Sequence, residues 1–283
     1  MKKAILTIYN PASDVVDNVK KIACQVDYVY LSDNSSVDNF SLFKEISNVK
    51  YFHNDCNLGI SCAFNKILKN TNSFLCDDYI IFFDQDSNIE VGFIDKLISI
   101  YEYLESKNIN IGCLGPAFVN TINNDTTLTH YKKCTEDNIY SVRSIITSSM
   151  LIKYSTLQKI DFWDESIFLD VADYAVCMKL KYHSLKCILT SRLIFQHTLG
   201  DCIENNCIKE NPIREYYRSR DILKLILRKY VSFRYKCIYL YIFVKKILIN
   251  LFYLKNKKEI IMYNLYGIID FFKGKNGEFI KLK

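Results

Sequence analysis

The chain has 283 residues, 49% of them hydrophobic, with three Pro and eight Gly; this is enough to bury a full core as one large α/β domain, or one domain with an appendage, and it excludes a disordered chain. Eleven Cys, an odd number without C-x-x-C or zinc-like spacing, read as free thiols of a reducing cytosol and not as a disulfide framework or structural zinc. The net charge of +6 hides an asymmetry, since residues 214–283 carry 17 Lys and Arg against 5 Asp and Glu, leaving 20 against 26 in the rest. An acidic body joined to a basic, aromatic tail implies two different partners.

Met1-Lys2-Lys3 and the apolar run that follows are too short for a signal peptide and stop at Asn10-Pro11, so Lys3 to Ile8 is predicted as the first strand. Asp14 to Cys24 has helical spacing, with Ser13 or Asp14 as cap. Val26 to Leu31 is a second strand, and it ends in a polar cluster whose Asp33 carboxylate could hold a nucleotide base; a loop with a helix cap would carry the same residues. Val49 to His53 is a third strand. Gly59 and Ser61 then open a helix at which backbone can approach closely, an arrangement suited to a phosphate or ribose.

Ile80-Ile81-Phe82-Phe83 reads as a buried parallel strand that delivers Asp84-Gln85-Asp86 past its carboxyl end, where open α/β sheets bind ligands. Two carboxylates one residue apart are hard oxygen donors suited to Mg²⁺ or Mn²⁺ held also by a diphosphate. An acidic surface turn with a helix cap has the same composition. Ser87 and Glu90 form a capping-box pattern, predicting a helix over Ile89 to Leu104. The alternation of strands and helices gives a doubly wound, mostly parallel sheet with Asp33 and the acidic turn on one edge.

Further strands are expected at Ile111 to Val119, interrupted by Gly115-Pro116, at Val142 to Thr147, at Leu185 to Thr190 and at Leu193 to His197. Residues 120–140 are the least regular. A short helix is expected from Ser155 or Thr156. Asp170 and Asp173 share a face if a helix starts there, and Ala172 to Tyr182 has a helical pattern; acids in a first turn also occur for dipole reasons alone. Trp163, the only Trp, could stack on a sugar or sit in the core. Of four His, His197 stands at a strand end before a Gly and could complete a metal site with the acidic turn. From Pro212 the pattern is helical, cationic and aromatic, as in helices lying on an anionic membrane surface. A packed helical appendage is the alternative, and nucleic acid is not expected as a partner.

Taken together, Thr7-Ile8-Tyr9-Asn10-Pro11, Ser32-Asp33-Asn34-Ser35-Ser36, Asn57-x-Gly59-Ile60-x-x-Ala63-x-Asn65, Phe83-Asp84-Gln85-Asp86-Ser87, Gly115-Pro116, Ile146-Thr147-Ser148-Ser149, Phe168-Leu169-Asp170-x-x-Asp173-Tyr174, His197-x-x-Gly200, Arg214-x-Tyr216-Tyr217-x-x-Arg220 and Gly267-Ile268-x-Asp270 resemble the family 2 glycosyltransferases, and within them the bacterial rhamnosyltransferase-like group. The resemblance spans nearly the whole chain. It implies a GT-A fold over 1–210, with a basic helical region over 211–283 as a membrane-surface or acceptor-side element. It also implies inverting sugar transfer from a nucleotide-sugar onto a lipid-linked glycan or oligosaccharide, in surface polysaccharide synthesis at the inner face of the plasma membrane. The best donor is dTDP-L-rhamnose, with UDP-galactose, UDP-galactofuranose and UDP-GlcNAc as alternatives.

Carried over by position, Tyr9 and Asp33 contact the base, Asn57 and Gln85 belong to the donor site, and Asp84 meets ribose or sugar. Asp86 would hold the metal with His197 as a further ligand or diphosphate contact, and Asp173 would be the catalytic base; apart from the family pattern, Trp163 and Asp170 are the acceptor-side candidates. The chain departs from the family pattern at Ala175, where Glu is common, at Lys179 for Arg, at Ser149 for Gly and at Asp221 for Asn. A nucleotidyltransferase is disfavoured, because no Gly-rich basic loop follows the first strand. A silent sugar-nucleotide or glycan-binding protein, encouraged by Ala175, is the reading from another class. A homo-oligomer is left open.

Overall fold

The computed structural model describes residues 1–120, 138–197, 203–204, 207–208, 211–253 and 257–280. The first half is laid down as β1 (Lys2–Ile8), α1 (Ser13–Ala23), β2 (Tyr28–Asp33), α2 (Phe40–Phe43), β3 (Val49–His53), α3 (Gly59–Asn70) and β4 (Tyr79–Asp84). These four strands are parallel, in the order β3-β2-β1-β4. Their apolar runs are continuous because both faces of the sheet are covered. Ile80 and Phe82 enter the core shared with α3, whereas Ile81 and Phe83 enter the opposite core with Val15, Val19 and Ile22 of α1.

The second half is α4 (Phe93–Ser106), β5 (Ile111–Asn120), β6 (Ile139–Ser141), β7 (Met150–Lys153), α5 (Tyr154–Lys159), α6 (Ala172–Tyr182), β8 (Lys186–His197), the two-residue strands β9 (Ile203–Glu204) and β10 (Cys207–Ile208), and the helices α7 (Pro212–Leu227), α8 (Phe233–Tyr253) and α9 (Lys257–Phe272). The eight-stranded sheet continues β4-β7-β5-β8-β6, with β7 antiparallel to both β4 and β5. The result is a GT-A α/β fold, a mostly parallel sheet with antiparallel insertions.

Several local expectations are corrected. The capping box does not form: the Ser87 hydroxyl accepts the Asp84 N–H at 3.1 Å, closing the acidic turn on itself, and α4 starts at Phe93 after left-handed Gly92. Gly115-Pro116 does not break β5; a register irregularity beside Pro116 absorbs the missing donor. Val142 to Thr147 is not a strand, the pairing segment being Ile139–Ser141, and the two strands expected over 185–197 are one, β8.

The C-terminal helices share the core of the sheet: Ile222, Leu225 and Tyr239 pack in the same cluster as Trp163 and Phe82. Pro212 opens α7 after Asn211, whose side chain accepts the Ile213 N–H at 3.2 Å. Helix α7 is not a solvated cationic surface, since Glu215, Arg220, Asp221 and Lys224 are all buried. Arg220 is held by Asp221 at 2.7 Å and the Gly277 carbonyl at 2.7 Å, and it lies over the rings of Tyr216 and Tyr217. Among the described residues no helix is long and apolar enough to cross a membrane.

Helix α9 reaches α7 through Gly267, where a Cβ would meet the Tyr216 carbonyl oxygen at 2.4 Å. Gly267→Val should therefore destabilise the fold by about 1–3 kcal/mol through overpacking, measured as a lower denaturation midpoint, whereas substitution at exposed Ile269 should not.

Candidate active site

Register places the acids. β1 pairs Ile8 with Asp33 on one side and Thr7 with Asp84 on the other, so both aspartates leave the sheet at the same carboxyl edge. The tight turn at Ser87 then presents Asp86 to solvent. Gln85 is fixed from two sides: its Oε1 accepts the Tyr9 N–H at 2.8 Å, and its carbonyl accepts from Asn18 at 3.3 Å. The Ser148 hydroxyl donates to Asp84 Oδ2. Ser149, at φ 68°, turns the chain back so that its N–H reaches the Phe82 carbonyl and β7 can run against β4. That left-handed backbone explains why Gly suits the position.

The second pair of acids is held by one residue, Phe168. Its carbonyl accepts the Ile60 N–H at 2.8 Å, and its N–H donates to Asp221 Oδ2 at 2.8 Å. Gly59, at φ 71°, makes room for this approach, because a Cβ there would stand 2.4 Å from the Phe168 oxygen. The close approach expected of a phosphate at Gly59 is thus made by the chain itself, and Ser61 is buried. Two residues beyond Phe168, Asp170 Oδ1 accepts Arg214 Nη2 at 2.6 Å and Nε at 3.2 Å, while its buried Oδ2 has no partner.

Asp173 sits in the first turn of α6 and accepts the Tyr174 N–H at 2.8 Å. A helix start ordinarily favours the carboxylate. Here removal from water, with Cys177, Asp170 and Asp84 nearby, pushes the carboxyl well above its usual range. That is the environment of a group able to take a proton.

These elements enclose one cavity of about 1040 Å³, lined by Tyr9, Asp84, Gln85, Asp86, Thr147, Asp170, Asp173, Tyr174, Arg214, Glu215, Arg218 and, from α8, Ile242, Phe243, Lys246 and Ile247. Its size suits a nucleotide with a sugar beside it. Among the described residues the acidic turn does not gather three protein ligands for one ion. The oxygen donors present, Asp84 and Asp86, fit a hard cation completed by water or phosphate oxygens.

Other candidates lie elsewhere. Trp163 is buried between Phe64 and Phe82, with ring centroids 5.1 Å from each, so it packs the core and does not stack on an acceptor. Asp33 is not in the cavity lining: Ser35 N–H, Asn39 Nδ2 and the Tyr51 hydroxyl occupy its carboxylate, and although burial opposes ionisation these hydrogen bonds hold its pKa below the ordinary range. Asn57 Oδ1 accepts the Gly59 N–H at 3.0 Å in the turn that precedes α3. The backbone of His197 pairs with Asn120 at the end of β8, and its side chain lies outside the described residues. Ala175 is buried, and Lys179 donates to the carbonyls of Asp161 and Phe162 at 2.7 Å each. Neither residue is in the cavity lining.

The site-lining residues passed over in the sequence include two kinds. Thr147, Arg218 and Ser219 fall within motifs already recognised, at positions not singled out. Ile242, Phe243, Lys246 and Ile247 carry no local signal, because only the packing of α8 brings them to the cavity.

The sequence matches the description Glycosyl transferase family 2 over residues 4–160. It is 24% identical over 308 aligned positions to the dTDP-rhamnosyl transferase RfbF of Shigella flexneri, covering 97% of this chain and 96% of that one. Among solved structures it resembles GalNAc-T7, crystallised with UDP, GalNAc and Mn²⁺, at a TM-score of 0.57 and 12% identity over 95% of this chain. The chain spans 57% of the length of that protein.

The raised pKa of Asp173 carries a stability consequence. Between the unfolded value of about 3.9 and the higher folded one, the folded chain binds more protons, so this carboxyl makes the fold less stable as pH rises. Asp173→Asn should melt above the parent chain at neutral pH in chelator, with the difference shrinking toward pH 4; a variant that melts lower at neutral pH would contradict the assignment.

Proposed function

Because the chain belongs to glycosyl transferase family 2, we propose that its cavity binds a nucleotide-sugar and passes the sugar, with inversion, to the hydroxyl of a glycan acceptor. The observation that carries this reading is the shared lining: the Asp84-Gln85-Asp86 turn and the Asp170/Asp173 segment, 84 residues apart or more in the chain, border one cavity. The donor is dTDP-L-rhamnose, on the strength of the likeness to a dTDP-rhamnosyl transferase over both full lengths.

Asp173 takes the proton of the acceptor hydroxyl as its oxygen forms the new bond to the anomeric carbon. The old bond breaks toward the diphosphate, which leaves with the electron pair. Asp86, exposed at the cavity, and Asp84, oriented by Ser148, would hold Mg²⁺ or Mn²⁺, which when bound neutralises the departing diphosphate. Tyr9 and Gln85, joined by their hydrogen bond, face the donor. Asp170, fixed by Arg214, keeps its unpartnered Oδ2 for an acceptor hydroxyl. Burial of Ala175 in the core removes the main argument for a silent binding protein, since that position does not border the cavity.

The acceptor is a lipid-linked glycan of surface polysaccharide synthesis, and residues 211–283 form the acceptor-side element that rests on the inner face of the plasma membrane. Supporting this, α8 and α9 expose Leu240, Tyr241, Val244, Leu248, Leu265 and Ile269 within the most basic part of the chain. Anionic lipid suits that combination.

Three outcomes test the proposal. Asp173→Asn should lower kcat about 10²–10⁴-fold with little change in donor KM, the usual contribution of a general base; an unchanged rate would remove the base assignment. The acid limb of kcat/KM should lie above the ordinary carboxylate range, because the raised carboxyl must be ionised to accept a proton. Flotation with vesicles should require anionic lipid and weaken in Leu240→Glu/Leu248→Glu, and equal flotation would dismiss the membrane surface.

A further inference from the structure

The eleven cysteines show no metal-binding spacing in the sequence, yet the fold brings three of them together. Cys113 of β5 and Cys187 of β8 are direct partners in the parallel register, and Cys177 of α6 lies against them. All three are fully buried, and their sulfur atoms lie within 4.8 Å of one another. Around one zinc ion with Zn–S bonds of about 2.3 Å, sulfurs stand roughly 3.8–4.0 Å apart, so less than about 1 Å of adjustment separates this triad from a ligand set.

We propose that Cys113, Cys177 and Cys187 form a structural site for a thiophilic divalent d¹⁰ cation, Zn²⁺ in the cell and Cd²⁺ as its spectroscopic equivalent. Three thiols packing as small apolar groups would explain burial alone. Two further features match a ligand set. The Ile145 N–H donates to Cys177 Sγ at 3.4 Å, the outer hydrogen bond that steadies a metal-bound thiolate. The ammonium of Lys181, one turn beyond Cys177, is held on the Val142 carbonyl at 3.0 Å, and the Val142 N–H in turn donates to the Cys187 carbonyl at 2.9 Å. Three thiolates and a divalent ion leave one negative charge in the core, and this cation offsets it. Cu⁺ would leave two, which favours the divalent ion. The Ile145 carbonyl, 3.9 Å from Cys177 Sγ, offers an oxygen for a fourth position. On binding, each coordinated thiol gives its proton to solvent, and no electron is transferred.

The site would tie β5 and β8 to α6. Cys177 lies one helical turn from Asp173, and Ile145 leads directly into the cavity-lining Ile146 and Thr147. A metal here therefore anchors the helix of the proposed base without touching substrate.

The test uses the full chain, stripped by chelator under reductant and titrated with Zn²⁺ or Cd²⁺. One ion per chain should bind with a thiolate-to-cadmium charge-transfer band in the ultraviolet and raise the thermal midpoint, reversed by chelator. Cys113→Ser and Cys187→Ser should lose the band, whereas Cys24→Ser, at an exposed thiol, and Asp86→Ala, at the acidic turn, should keep it. Should the triad variants fail to fold, X-ray absorption of the zinc-loaded parent chain decides the matter: three sulfur neighbours support the site. A coordination shell of oxygen and nitrogen alone, a band that survives in Cys187→Ser, or no band in the folded parent overturns it. None of these readouts depends on sugar transfer.

Discussion

The arrangement depends on how Phe168 is gripped. Its carbonyl is bound by the start of α3 and its N–H by a carboxylate of α7, so the segment carrying Asp170 and Asp173 is suspended between α3 and the C-terminal helices. Gly59 is the sterical condition for the first contact and buried Asp221 for the second. Asp221 is in turn bound to Arg220, which is stacked among aromatic rings. In a buried pair of this kind, loss of one partner typically costs about 3–5 kcal/mol, because the other charge is stranded. The C-terminal helices are therefore part of what shapes the catalytic end of the molecule.

Two kinds of carboxylate border the cavity, and their surroundings set them apart. Asp86 stands exposed on a turn that closes through Ser87, open to solvent and to a cation. Asp173 is sunk at the start of α6, where desolvation and neighbouring acids outweigh the helix dipole. The proposed base at Asp173 draws on the second of these environments, and the proposed cation contact at Asp86 on the openness of the first. Asp170 stands between them in character: half of it is spent on Arg214, and the other oxygen is buried without a donor. A bound hydroxyl would relieve that unsatisfied atom, consistent with a site completed only by substrate.

Helix α8 has an unusual position. Its inner residues Ile242, Phe243 and Ile247 border the cavity, while Leu240, Tyr241, Val244 and Leu248 are exposed on the outside. An apolar helix surface left uncovered in this way is unfavourable in water. The abundance of lysine around it is the charge that the proposed contact with anionic lipid would use.

How much could be read from residues alone depended on whether the physics was local. The parallel strands β1 to β4, the helix at 172–182 and the delivery of Asp84 and Asp86 to a strand end were legible, because apolar period and strand termini are properties of contiguous residues. The Asp170/Asp173 segment was marked by its pattern. Where contacts between distant segments decided the outcome, the residues were silent or misleading. Ser87 and Glu90 had the form of a helix cap, but the hydroxyl closes the preceding turn. Asp33 stood at the right edge, yet Tyr51 and Asn39 claim its carboxylate. Gly59 was matched to a phosphate and serves the Phe168 carbonyl, and Trp163 is taken by the core because Phe64 and Phe82 arrive on either side. The sequence by itself determined the class of fold and which carboxylates could matter. Only the tertiary structure decided which of them border one cavity, that α8 walls it and that three scattered cysteines meet, since these follow from long-range packing that no contiguous stretch of chain encodes.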